Sequence, residues 1–144
     1  MKSLTQHITE KLVLNNNTKV RKYNYHPKTK NELKELVKQL IEERGNEADL
    51  NDIDTSQITY MREIFEYSDF NGDISKWDVN NVTDMYKMFF RSKFNGDISN
   101  WNVSNVENMK FMFSASEFNS DISNWNVSKV VSMANMFKDA LSFT

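Results

Sequence analysis

FNGDISKWDVNNVTDMYKMFFRSK from Phe70, FNGDISNWNVSNVENMKFMFSASE from Phe94 and FNSDISNWNVSKVVSMANMFKDAL from Phe118 align without a gap at a spacing of 24 residues. Trp77, Trp101 and Trp125 hold one register across the three copies. A worn fourth copy precedes them. Leu50, Ile53, Ile58, Met61, Ile64 and Phe65 stand 24 residues before Ile74, Trp77, Val82, Met85, Met88 and Phe89. Self-similarity at such a period is the signature of stacked repeats, whose terminal copies degenerate because they have a neighbour on one side only. The repeat region therefore spans 46–144, divided into 46–69 as a capping copy, then 70–93, 94–117 and 118–142.

Within one unit, Trp101 and Val103 alternate as in a short strand, with Ile98 three residues before and Val106 three after. Val106, Met109, Met112 and Phe113 then follow at the spacing of a two-turn helical face. Ser104 or Thr83 can cap that segment, and Phe-Asn-Gly-Asp supplies the return turn. The chain is thus expected to be α/β: a short leucine-rich-repeat-like solenoid of about four 24-residue strand-plus-short-helix coils, with an N-terminal helical cap. Columns of Trp, Val, Met and Phe form its core, and the Asn71/Asn95/Asn119 and Asp73/Asp97/Asp121 columns read as turn ladders.

Composition agrees with this reading. Of 144 residues only 3 are Gly and 1 is Pro, beside 8 Met, 3 Trp and 10 Phe. Seven of the Met and all the Trp fall inside the repeats, as core filler that suits irregular gaps. The absence of cysteine excludes a disulfide scaffold and any thiolate chemistry. No apolar stretch approaches membrane-spanning length, and the first ten residues lack a secretory h-region, so a cytoplasmic location is expected. The formal charge of −2 conceals a basic segment 1–45, at +5, and an acidic segment 46–144, at −7.

The repeat F-N-x-D-I-S-x-W-x-V-x-x-V-x-x-M-x-x-M-F resembles that of the BspA-like leucine-rich-repeat family, also described as a domain of unknown function found in Mycoplasma and gut-bacterial proteins. The resemblance covers residues 46–144. It implies a protein-binding role, often that of an adhesin.

Residues 1–45 form a separate module. Ser3-x-x-Gln6 ahead of Leu4, Ile8 and Leu12 predicts one amphipathic helix. Thr29-x-x-Glu32 ahead of Leu33, Leu36, Val37, Leu40 and Ile41, closed by Gly45, predicts a second that covers the open end of the repeat core. Leu12 to Tyr25, around Asn15-Asn16-Asn17, is compatible with a hairpin. The first ten residues also resemble the leaders of some tailed-phage internal proteins.

Catalytic patterns are missing. His7 and His26 are the only histidines, no serine sits in a nucleophile elbow, and no glycine-rich phosphate cradle occurs. Asp69-x-Asn71-Gly72-Asp73 departs from a calcium loop, because Ile74 stands where the glycine belongs. The expectation is a non-enzymatic protein without metal or cofactor, and without a small-molecule substrate.

In a repeat array the constant positions build the scaffold and the varying ones meet partners. Tyr86, Phe90 and Phe111 are aromatic where sister copies are polar or small, which marks them as interface anchors, with Lys87, Lys110, Glu107 and Asp84 around them. The function expected is protein binding. One version is a phage or mobile-element inhibitor whose acidic repeats occlude a basic, nucleic-acid-handling defence protein. Alternatives are an adhesin-type role, and nucleic-acid binding through Lys19, Arg21, Lys22, Lys28 and Lys30 with Tyr23 and Tyr25 interleaved. The last copy has no capping element, which suggests self-association there.

Overall fold

The computed structural model describes residues 22–144. The helix and hairpin expected around Leu4 to Leu12 and Asn15 to Asn17, together with Lys19 and Arg21, lie outside them.

One helix is present among the described residues: α1, Lys30–Arg44. Thr29 Oγ1 accepts from the Glu32 amide at 3.1 Å, and the Glu32 carboxylate reaches back to the Lys28 amide at 2.8 Å. Two early donors of the helix and its lead-in are thereby satisfied. At the other end Gly45 adopts φ 91° and donates to Ile41 O, a conformation that favours glycine. Leu33, Val37 and Leu40 are buried and join one continuous apolar core with the first repeat copy.

The strand-plus-short-helix coil expected from the sequence does not form. No strand or second helix is found among the described residues; pairing between copies is reduced to isolated parallel bridges, Tyr60 to Asp84 to Asn108 to Ser132 and Asp49 to Asp73. The reason lies in how the backbone groups are used. Trp101 donates to Ile98 O and Val106 to Val103 O, so apolar residues three apart mark successive tight turns instead of strand or helix steps. In the segment read as helical, Met88, Phe90 and Ser92 donate locally to Met85, Lys87 and Phe89. The intervening amides of Met85, Lys87, Phe89 and Arg91 instead donate to Asn108, Lys110, Met112 and Ser114 in the following copy, at 2.8–3.1 Å. An α-helix needs those same amides for its own i−4 carbonyls.

The turns also need left-handed residues. Glu63, Lys87, Phe111 and Asn135, and four residues later Tyr67, Arg91, Ala115 and Asp139, all have φ between 52° and 63°. A positive φ every fourth residue ends any helix at once.

The 24-residue register nevertheless orders everything else. Phe65, Phe89, Phe113 and Phe137 form a stacked column with centroid spacings of 5.5, 5.5 and 5.4 Å. Phe70, Phe94 and Phe118 form a second column, which Phe143 continues at 6.3 Å despite arriving one residue late. Each indole N–H donates to the previous copy: Trp77 to Leu50 O, Trp101 to Ile74 O and Trp125 to Ile98 O. A buried polar group is thus satisfied in the same stroke as the ring is packed.

The Asn and Asp ladders are turn devices. Asn95 and Asn119 amides donate to the side chains of Asn71 and Asn95, and the Thr144 amide continues the row to Asn119. Asp73, Asp97 and Asp121 accept from the amides of Ser75, Ser99 and Ser123. Those serine contacts hold the three carboxyls below the ordinary aspartate range.

Gly72 is required by close approach, since a Cβ there would lie 2.0 Å from Ala48 O.

Candidate protein-binding flank

The positive-φ turns bring the varying positions together. Side chains at or just before several of these positions meet those of the next copy, so residues far apart in sequence become neighbours. Tyr86 meets Phe111 edge to face at 6.3 Å, Phe111 meets Phe90 at 6.4 Å, and Phe90 meets Tyr67 at 5.5 Å. Cations are interleaved with these rings. Lys87 Nζ lies 5.5, 4.8 and 5.8 Å from the centroids of Tyr86, Phe90 and Phe111. Lys110 lies 5.8 Å from Phe111, and Arg91 lies 5.8 and 5.6 Å from Tyr67 and Phe90. Arg62 covers Tyr86 at 5.4 Å. Such contacts are worth roughly 0.5–1 kcal/mol at exposed sites, and more once a partner excludes water.

Of the residues singled out from sequence, Tyr86, Phe90, Phe111, Lys87 and Lys110 are gathered here. All five are half-buried. Asp84 adjoins them in a different role: its carboxylate is held by Arg62 at 2.6–2.7 Å and accepts the Tyr86 amide, and the residue is buried. Arg62 is correspondingly raised, chiefly by its hydrogen bond to Asp84. Asp84 therefore braces the flank from below. Glu107 is exposed and makes no hydrogen bond or ion pair with the cluster; its backbone takes part in the bond row from Thr83 to Val131.

Three members were missed: Arg62, Tyr67 and Arg91. Arg62 and Tyr67 belong to the worn copy, and Arg91 sits four residues beyond Lys87. The sequence signal they carry is weak: their columns, 62/86/110/134 and 67/91/115/139, vary in every copy, and nothing local joins the two.

At one margin Glu63 and Glu66 are adjacent, and burial followed by its contact with Glu63 raises the Glu66 carboxyl. Lys87, Arg91 and Lys110, by contrast, have no carboxylate within 4.0 Å among the described residues.

The basic residues suggested for nucleic acid are placed differently. Lys22 shares a surface depression with Arg44, Asp49, Asn51 and Asp52, whereas Lys30 shares another with Tyr60, Arg62 and Asp84. Lys28 is exposed just ahead of the α1 cap. Lys22 and Lys30 thus each sit among carboxylates, in separate depressions.

Arg44 fixes α1 to the first copy. It grips Asp52 through two hydrogen bonds of 2.9 Å, and that grip holds the Asp52 carboxyl down at about 2. The neighbouring Tyr25 pairs in parallel with Ile53.

No helix among the described residues is long and apolar enough to cross a membrane. Residues 31–144 match the family described as "Mycoplasma protein of unknown function, DUF285". No curated protein and no solved structure matches the chain.

Proposed function

The chain belongs to the DUF285 family, and on that premise we propose that it is a non-catalytic protein-binding module of the kind its BspA-like repeat pattern implies, with the aromatic and cationic flank as its binding surface. One observation carries this reading. Tyr67 and Phe111 stand at left-handed positions, where Gly or Asn fits without strain and a bulky side chain costs about 1–2 kcal/mol. The last copy shows the unstrained solution, with Asn135 and Asp139 in the same two places. Bulky rings kept against the preference of the backbone, clustered and partly exposed, are explained by a use outside the fold. Aromatic and arginine side chains are also what interface anchors are made of.

The test replaces flank residues with those that the last copy carries, Tyr86→Ala together with Phe111→Asn. Affinity capture from the native host is then compared between native and substituted chains at equal loading. A partner recovered by the native chain and lost by the variant supports the reading. Equal recovery of the same partner by both sinks it.

A further inference from the structure

Resting on that reading of the flank as a binding surface, we infer that it takes an extended acidic protein segment, the carboxylates along one face of the segment meeting Lys87, Arg91 and Lys110. Charge is the first argument. These three cations are positioned on ring faces with no carboxylate within 4.0 Å among the described residues, Lys87 acting on Glu66 only at longer range. A cation held over a ring keeps its charge and its donors, and gains a charge-assisted bond when a carboxylate arrives.

Geometry is the second. Phe90 is shared by Lys87 and Arg91, and Phe111 by Lys87 and Lys110, so Lys87 is the hub of a row that alternates cation and ring. The ring steps along it, Tyr86 to Phe111 at 6.3 Å and Phe90 to Phe111 at 6.4 Å, are near the roughly 6.6 Å between same-face side chains of an extended chain. Side chains on one face of an extended segment can therefore reach successive rings and the cations held over them.

The same features disfavour a single-stranded nucleic acid. Base stacking needs open ring faces, but the ring faces here carry ammonium and guanidinium groups, and the rings meet one another edge to face.

The experiment measures fluorescence anisotropy of the full chain with three labelled probes: a short peptide with Glu at alternate positions and Leu or Ser between, the same peptide with Gln for Glu, and an oligothymidylate of matching length. Lys87→Asn is the central variant, because Asn135 already occupies that backbone position in the last copy and the substitution removes charge without strain. Lys110→Ala, which copies Ala134 of the last repeat, is the second, and circular dichroism confirms that both fold. The expected result is that the Glu peptide binds at least about tenfold more tightly than the Gln peptide, that Lys87→Asn removes about tenfold of that affinity, and that salt weakens it. Equal binding of the two peptides, unchanged affinity in Lys87→Asn, or tighter binding of the oligonucleotide overturns the inference. If the peptides are not discriminated while Tyr86→Ala with Phe111→Asn still abolishes partner capture, only the acidic-segment inference falls. If capture is unaffected, the binding-surface reading falls and this inference with it.

Discussion

The interior of each repeat copy and its flank are built from neighbouring residues under opposite rules. Inside, Phe89 sits on Phe65 and Phe113 with nearly parallel rings, and Trp101 repeats the bond that Trp77 makes one copy earlier. Two residues from Phe89 in either direction, Lys87 and Arg91 correspond to Phe111 and Ala115 in the next copy and share only a backbone angle with them. Interior positions must be alike because each side chain is the floor of the next. Flank positions are free to differ because backbone bonds, not like side chains stacked in a column, set their register. What the difference teaches is that repetition here reports packing, whereas a side chain poorly suited to its φ reports a demand from elsewhere.

The contrast can be broken most forcefully in the interior. Phe89→Ala should cost about 3–5 kcal/mol, read as a large fall in the urea midpoint, since it opens a void in the middle of a continuous column. A loss similar to that of a surface substitution would show that the columns do not carry the stack. Next comes Gly72→Ala, which forces a methyl group onto Ala48 O and should cost about 1–3 kcal/mol by the same assay. The sister substitution Gly96→Ala meets chiefly the Phe94 ring and should cost less.

On the flank the sign should change. Phe111→Asn relieves a left-handed phenylalanine and is expected to leave stability unchanged or raise it by up to about 1 kcal/mol, while weakening partner binding. Destabilisation as large as that of Phe89→Ala would assign Phe111 to the core and erase the distinction.

The smallest effect belongs to the junction of α1 with the first copy. The carboxyl of Asp52 is depressed by Arg44, so the stability it contributes is present above the unfolded aspartate value of about 3.9 and is lost as pH falls towards about 2. Asp52→Asn should therefore flatten acid unfolding between about pH 4 and pH 2, with native and variant chains converging near pH 2. Parallel curves for the two chains would show that the pair does not couple α1 to the stack.

Much of this architecture is legible in the sequence, and what is not has a definite cause. The register, the core columns and α1 follow from residues that announce themselves: Trp at a fixed spacing, Thr29 and Gly45 at helix ends. Turns and helices are confounded because both place apolar residues three apart. What separates them is the destination of the amides of Met85, Lys87, Phe89 and Arg91, and a bond to a chain segment 23 residues onward leaves no mark on local periodicity. The flank is half visible for the same reason. Tyr86, Phe90 and Phe111 stand out against their sister residues, but Tyr67 and Arg91 become significant only once a left-handed turn joins adjacent copies on one face.

The forward direction of that amide row also sets a clock. Met85 to Arg91 and Met109 to Ala115 each give four alternate amides to the next copy. Deuterium should enter such a row only when the copy that accepts it peels away, so that the four amides of one row exchange together and not one by one. The spacing that organises the fold in ångströms would then be readable in minutes and hours.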